Sequence, residues 1–457
     1  MDADACYRAG SARDARFDGL FFTAVRSTRI FCRPICPAKT PLRKNVEYFP
    51  NAAAALAAGY RPCLRCRPEV SPDQPVWAGT SATVSRALRL IDEGALDQGS
   101  TEDLAGRLGL TDRHLRRLFL EHVGVPPVAV AQTRRILFAK RLITDTNLPF
   151  SEIAFAAGFS SLRRFNEAVR STYRRNPKEL RRAEPIEPSS ESSVDLKLHY
   201  RPPFAFKTFL GFIGPRAIPG LEQVDANSYR RSGVVVTQLP AKNYLVARVA
   251  PDNVKNLRAI AERVRSFFDL RANTHEIGAH LGKSALLKRT VQRHPGLRVP
   301  GSWDGFELAV RAMLGQQVTV KGATTLAGRL VERFGPPKPE ILAEANLAVI
   351  GLPKARAESI RGFARAVADG RIKFDGATPS VEMIGRMCEL PGIGPWTANY
   401  IAMRALGDPD AFPASDLGLL KAAGLTSQKR MAEMAEAWRP WRSYAAMYLW
   451  ESLHQED

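Results

Sequence analysis

Four cysteines near the start of the chain constrain it more than any other feature. Cys32 and Cys36 form C-x3-C in "FCRPICPAKT", 26 residues follow, and Cys63 and Cys66 form C-x2-C in "RPCLRCRPE". Two close pairs, each able to grip one ion from a single turn, match tetrahedral coordination of Zn²⁺ by four thiolates. Iron is the weaker competitor. The residues between the pairs must then supply the strands and helix that bring them together. Within them "NAAAALAAG" (51–59), too short to span a bilayer, reads as a small capped helix. The remaining cysteines, Cys6 and Cys388, stand alone. "MDADACYRAG" lacks the basic start and apolar core of a signal peptide, so the cysteines read as reduced thiols in a cytoplasmic protein.

A closed four-thiolate site is ordinarily structural, because no coordination position is left open. A second reading stays open on charge grounds. Four thiolates around one dication remain net negative, so a sulfur there keeps nucleophilic character at neutral pH. Arg29, Arg33, Lys39, Arg43, Arg61, Arg65 and Arg67 lie around the set and suit a phosphate backbone. The basic excess runs through the whole chain of 457 residues, whose formal charge is +20. Residues 1–183 carry 30 Lys/Arg against 18 Asp/Glu, and the rest carry 36 against 28. Such an excess calls for a polyanion. No run of eighteen apolar residues exists, which argues against a membrane and for nucleic acid.

Composition shifts divide the chain, as its length predicts. "RPEVSPDQPVWAGTSA" and "AEPIEPSSESSVD" are proline-punctuated polar stretches. They bound segments expected at 1–72 and 79–183, with a linker at 184–193; residues 194–290 read as mixed strand and helix, and 291–457 as all helix. The second segment repeats itself. "LAGRLGLT" (104–111) aligns with "IAFAAGFS" (153–160) at an offset of 49, each ending in a glycine, an apolar residue and a capping Thr or Ser. Basic helices follow, with Arg113, Arg116 and Arg117 on one and Arg163 and Arg164 on the other. A generic helical bundle is the plain alternative. Two copies of helix, glycine turn and basic helix favour a double helix-turn-helix that reads DNA.

The motifs "VGVPP", "NLPFSEIAFAAGFSSLRRF" and "NPKELRR" resemble the DNA-binding domain of AraC-type transcription regulators. The preceding residues, from "FFTAVRSTRIFCRP" to "YRPCLRCRPE", look like the N-terminal methyl-acceptor domain of the Ada family. That resemblance implies one zinc ion that is both structural and thiolate-activating, held by Cys32, Cys36, Cys63 and Cys66. It implies that Cys32 takes a methyl group, once and irreversibly, from a DNA methylphosphotriester. Arg33, Arg61, Arg65 and Arg67 would hold the phosphates. The AraC-like segment would then read promoter DNA as an activator, with RNA polymerase as its partner.

In the last segment "LPGIGPWTANYIAMRAL" (390–406) has the form of a helix-hairpin-helix turn. Gly392 and Gly394 would let the backbone approach a DNA phosphate, bound by amides at the following helix N-terminus. Asp416 follows Gly394 by twenty-two residues. A lone aspartate is often a helix cap, but one carboxylate is also what stabilises the oxocarbenium-like state of N-glycosidic cleavage. Trp396, Tyr400, Trp438, Trp441, Tyr444, Tyr448 and Trp450 read mostly as core, yet some could stack on a cationic alkylated base.

"HPGLRVPGSWDGFELAVRAMLGQQVTV", "LPGIGPWTANY" and "WRPWRSYAAMYLW" resemble the AlkA family of 3-methyladenine DNA glycosylases, and the likeness reaches back to about residue 195. It implies Asp416 as the catalytic residue, Gln316, Trp396, Tyr400 and Trp450 around the base, and Gln317 inserted into the duplex, where AlkA has leucine. Lyase-active relatives carry a lysine where this chain has Trp396, and no cysteine cluster follows the hairpin. A monofunctional glycosylase without an iron–sulfur cluster is therefore expected.

The expected fold is multidomain and mainly α with α+β parts. It comprises a small zinc-binding α/β domain, an AraC-like double helix-turn-helix bundle, and an α+β subdomain leading into an all-helical helix-hairpin-helix domain. The expected function is repair of alkylated double-stranded DNA joined to regulation of that repair. The alternative is a methylation-responsive transcription regulator whose glycosylase domain is weak or inactive.

Overall fold

A computed structural model of the chain describes residues 2–72, 82–181, 193–239 and 241–453. The expected linker at 184–193 lies outside the described residues except for Ser193. So do residues 73–81 of the earlier polar stretch. The chain forms two compact units. One comprises Met1–Pro202, Gly233–Arg265 and Leu270–Ala272; the other comprises Pro203–Ser232, Ser266–Asp269 and Asn273–Asp457.

The first unit begins with helix α1 (Ala3–Ser11), capped by the Asp2 side chain. Strands β1 (Phe22–Val25), β2 (Ile30–Cys32), β3 (Val46–Phe49) and β4 (Arg61–Pro62) form a sheet in the order β3-β1-β2-β4. Its edge pairing matters most for chemistry. β2 and β4 run parallel with Ile30 opposite Arg61 and Phe31 opposite Pro62, and the Cys63 amide donates to Phe31 O at 3.0 Å. This register sets Cys32 beside Cys63. Phe31, fully buried and edge-on to Phe22 at 5.5 Å, anchors β2. Helix α2 (Ala52–Ala57) is the expected alanine helix, with Asn51 accepting from the Ala54 amide at 2.8 Å.

Eight helices follow: α3 (Ala82–Asp92), α4 (Ala95–Gln98), α5 (Thr101–Arg107), α6 (Asp112–His122), α7 (Pro127–Asp145), α8 (Phe150–Ala156), α9 (Leu162–Tyr173) and α10 (Pro177–Leu180). The 49-residue repeat holds at the level of single hydrogen bonds. Leu110 N–H donates to Ala105 O and Phe159 N–H to Ala154 O, both at 2.9 Å, across left-handed Gly109 and Gly158. The caps differ by one place. Thr111 caps α6 as its spacing predicts, but Ser161 caps α9, because one extra residue precedes the second helix.

The first unit also holds β5 (Val194–His199). Strands β6 (Glu222–Val224) and β7 (Ser228–Arg231) follow helix α11 (Phe206–Ile213) and belong to the second unit. β8 (Val234–Gln238) and β9 (Tyr244–Val249) return to the first, where β9 pairs antiparallel with both β5 and β8. β8 lies in "GVVVTQL" and β9 in "NYLVARVA", and α12 (Leu257–Phe267) follows, in keeping with the mixed strand and helix expected of residues 194–290.

In the second unit the helices are α13 (Thr274–Leu281), α14 (Ala285–Arg293), α15 (Gly305–Leu314), α16 (Val320–Phe334), α17 (Pro339–Leu342), α18 (Lys354–Ala368), α19 (Ser380–Cys388), α20 (Pro395–Ala405), α21 (Leu417–Ala422), α22 (Gln428–Ala435) and α23 (Arg442–Leu453). Trp438, Trp441, Tyr444 and Tyr448 are buried core, as expected of most of the aromatic set. Among the described residues no helix is long and apolar enough to cross a membrane.

Candidate functional site

The β2–β4 register and the turn after each strand bring all four cysteine sulfurs within 4.8 Å of one another. Such crowding suits a tetrahedral dication, and thiolate sulfurs suit zinc. Hydrogen bonding from Cys32 lowers Cys36 to about 7, whereas Cys32 and Cys66 are pushed up, chiefly by the hydrogen bonds the sulfurs share. Cys63 and Cys66 are buried; Cys32 and Cys36 are partly exposed. A cleft of about 450 Å³ opens over the cluster, lined by Tyr7, Lys39, Tyr48, Arg61 and Arg65 among others.

Two arginines expected on phosphates are instead structural. Arg33 is buried: its guanidinium pairs with Asp18 and donates to Cys66 O at 3.1 Å, while its backbone amide donates to Cys66 Sγ at 3.3 Å. An arginine tied to a buried carboxylate cannot also reach solvent-borne phosphate. Arg67 is turned inward too, donating to Glu69 at 3.1 Å, Thr144 at 3.0 Å and Asp145 at 2.8 Å. Arg61 and Arg65 remain at the cleft. Of the rest, Arg29 lies over Tyr60 at 4.3 Å, Arg43 pairs with Asp4 at 2.8 Å, and Lys39 is exposed.

On the helix-turn-helix pair, Arg113, Arg116 and Arg117 of α6 are exposed, as are Arg163 and Arg164 of α9. Arg116 is held by Asp112 at 2.7 Å. The apolar positions of the same helices, Leu115, Phe119, Phe165 and Val169, face inward. Each basic face is therefore a solvent face on an amphipathic helix.

The second unit contains a cavity of about 370 Å³ lined by Trp396, Tyr400, Asp416 and Trp450. Asp416 is a helix cap, as a lone aspartate often is, and it also stands on the cavity wall. Its side chain caps α21 by accepting from the Leu419 amide at 3.0 Å, and it also accepts from two indoles, Trp396 Nε1 and Trp450 Nε1, each at 2.9 Å. Trp396 stacks on Tyr400 with centroids 5.5 Å apart and planes 9° apart, and Trp450 stacks on Phe212 at 6.0 Å. Gln316 does not line the cavity: its amide donates to Gly392 O and to Thr397 Oγ1, both at 2.9 Å, bracing the hairpin. Gln317 is exposed with a left-handed backbone, φ 56°.

The hairpin glycines divide their work. Gly392 is left-handed, and a Cβ there would meet Ser359 Oγ at 2.2 Å. Gly394 is open and precedes α20 without a side-chain cap, with Pro395 at the first helical position. The first amides of α20 therefore point outward, an arrangement that binds anions.

Sequence reasoning missed four pocket residues: Phe212, Arg216, Arg311 and Arg404. The Arg216 guanidinium lies 3.9 Å over the Phe212 ring, Arg404 donates to Tyr400 Oη at 2.8 Å, and Arg311 donates to Thr324 at 2.9 Å. Burial alone would raise the Tyr400 phenol, but Arg404, Arg216 and Arg311 outweigh it and hold the group below its ordinary value. For the three arginines the only signal was a cation set among apolar positions, in "GFIGPRAI", "ELAVRAML" and "IAMRAL". One expected base-stacking ring, Tyr400, thus already carries the protein's own cation, Arg404 at 5.7 Å from its centroid, as does the unexpected Phe212.

Four family models match the chain: the metal binding domain of Ada over residues 5–69, a helix-turn-helix domain over 104–183, the AlkA N-terminal domain over 195–304, and the HhH-GPD superfamily of base excision DNA repair proteins over 310–443. Across nearly its full length the chain is similar to the "Probable bifunctional transcriptional activator/DNA repair enzyme AlkA" of Mycobacterium tuberculosis. They are 42% identical over 479 aligned positions, covering 99% of this chain and 97% of that one. The chain belongs to this family of bifunctional activator and repair proteins. Two relatives cover its parts separately. DNA-3-methyladenine glycosylase 2 of Escherichia coli is 30% identical over 275 residues, 55% of this chain and 95% of that one. The bifunctional transcriptional activator/DNA repair enzyme Ada of Escherichia coli is 42% identical over 131 residues, 29% of this chain and 35% of that one. This member of the AlkA family thus joins a DNA glycosylase to a zinc-binding, DNA-binding activator module.

Proposed function

We propose that the glycosylase half excises 3-methyladenine and related alkylated bases from double-stranded DNA, with Asp416 as the catalytic carboxylate. One observation carries this reading: a carboxylate oriented by two indole N–H groups at 2.9 Å on the wall of an aromatic cavity. Both bonds aim the carboxylate at the cavity, so it can face the positive charge that grows on the sugar. The N-glycosidic bond breaks with its electron pair going to the base. A cationic base then departs neutral, water adds at the sugar carbon, and its proton is released. With Trp396 where lyases carry lysine, the product is an abasic site. Gln317, exposed on a left-handed turn, fills the space the base leaves, and the α20 amides past Gly392 and Gly394 hold a backbone phosphate. Gln316 acts by bracing that hairpin.

At the other end, Cys32 is the methyl acceptor. Cys32 is partly exposed at the cleft, whereas Cys63 and Cys66 are buried and Cys66 Sγ also accepts from the Arg33 amide at 3.3 Å. An N–H donor withdraws density from a thiolate, so Cys66 is the weaker nucleophile. A single zinc ion would keep all four sulfurs as thiolates at neutral pH. Cys32 Sγ attacks the methyl carbon of a methylphosphotriester, the methyl C–O bond breaks, and its electrons stay on the phosphate as an ordinary diester. One negative charge is lost from the cluster, so repulsion from DNA falls. Arg61 and Arg65 flank the phosphate, α6 and α9 read promoter DNA, and RNA polymerase is the downstream partner. The working division is 1–72, 79–183 and, after the linker, 194–290 with 291–457.

Incubation with DNA carrying labelled methyl groups tests both halves at once. Wild type should release free 3-methyladenine and become labelled on Cys32. Asp416→Asn should lose release and keep the label, and Cys32→Ala should do the reverse. No release by wild type would leave only the regulator.

A further inference from the structure

The two helix-turn-helix copies are not supported alike. A Cβ added at Gly109, the first turn, would meet nothing within 4 Å. One added at Gly158, the second turn, would lie 2.8 Å from an oxygen of Asp97. That carboxylate, near the end of α4, accepts from Arg135 of α7 at 2.9 Å and from Arg258 Nη1 of α12 at 2.6 and 2.8 Å. The other Arg258 nitrogen donates to Ile91 O at 2.9 Å. Next to this hub, Asp92 at the end of α3 pairs with Arg134 of α7 and with Arg271, 3.2 Å away. Helix α8 packs on the short turn Pro251–Asn256 that leads into α12. All of these groups belong to the first unit. Arg258 and Asp97 are largely buried, at 12% and 20% side-chain exposure, so their hydrogen bonds are little screened.

We propose that Arg258, a residue of the segment matching the AlkA N-terminal domain, is a positioning residue for the second DNA-reading helix, α9. The inference rests on the reading of α6 and α9 as recognition helices. Two such helices reach successive major-groove turns only when held at a fixed spacing of roughly 34 Å. The Arg258 fork fixes Asp97, Asp97 supports the turn at Gly158, and that turn sets the direction of α9. At the first turn no group stands within 4 Å of the corresponding position on Gly109. DNA reading by the activator therefore depends on a segment of the repair half.

The test uses the full chain and its Arg258→Ala and Arg258→Lys variants, without and with DNA. Hydrogen exchange in Arg258→Ala should speed up across 150–173 and stay unchanged across 101–122. Affinity for a duplex that wild type selects from a random pool should fall about tenfold, with the footprint shortened to the half read by α6. Lysine, a single point donor, should restore only part of both effects. Release of methylated bases should stay within about twofold of wild type, since a 0.4 kcal/mol change is below that factor. Unchanged exchange at 150–173, or equal loosening of both copies, overturns the proposal. If wild type selects no duplex, the DNA-reading assignment fails, while the exchange pattern still decides whether Arg258 braces the second turn.

Discussion

The cysteine centre and the aromatic cavity, both proposed to act on DNA, are built in opposite ways. The centre takes its four sulfurs from 35 residues, and one strand pairing, β2 on β4, brings them together. The cavity draws Phe212, Arg216, Trp396, Tyr400, Asp416 and Trp450 from across most of the second unit. A metal can organise a site whose surrounding core is small, because ligand bonds replace buried area. A pocket for a flipped base needs a large framework, since its walls must stay fixed when the base is absent. The lesson is that spacing can reveal a centre of the first kind, while a site of the second kind yields only its motif-borne members.

The contrast breaks most visibly at the metal ligands. Cys63→Ala should abolish zinc retention and unfold the first domain, because a structural zinc contributes on the order of 10 kcal/mol. Metal content and exchange at residues 5–69 check this, and base release should persist. Arg67→Ala should cost about 3–5 kcal/mol by leaving Asp145 buried without its partner. Burial raises the Asp145 carboxyl, but Arg67 outweighs it and holds the group below its usual value. Its folded value is depressed, so its stabilisation is complete above about pH 4 and fades as pH drops through the folded value. Denaturant melts at falling pH should display that acid limb in wild type and lose it in the variant.

Within the cavity, effects should be smaller and purely kinetic. Trp450→Phe keeps a ring against Phe212 but removes one donor to Asp416, so excision should slow about tenfold, as the loss of one charged hydrogen bond predicts. Arg216→Gln sharpens the comparison further. It removes a cation from the base site, so release of cationic 7-methylguanine should rise by a few tenths of a kcal/mol while that of a neutral base such as hypoxanthine falls. A uniform drop in both would mean that Arg216 only holds the framework.

Much of the fold was legible because it is local. The Asn51 cap, the glycine turns at 109 and 158, and the strands at 234–238 and 244–249 follow from residues that sit next to one another. The cap of α9 shifted from Ser160 to Ser161 because adjacent serines offer the same chemistry and only helix packing chooses between them. Arg33 and Arg67 were misread for a related reason. A basic shell looks the same in sequence whether it faces a phosphate or a buried carboxylate, and Asp18 and Asp145 are fifteen and seventy-eight residues away.

The sequence by itself determined the metal-binding cysteines, the repeated helix-turn-helix, the hairpin and the aspartate that follows it. Each is written in spacings short enough for backbone geometry to enforce. Only the tertiary structure decided which arginines are buried, that Gln316 braces the hairpin, that Arg216, Arg311 and Arg404 line the aromatic cavity, and that Arg258 grips Asp97 from 161 residues away. Those outcomes depend on which charges the packed core leaves in contact. No local pattern encodes that, because desolvation and pairing are settled between segments and not within them.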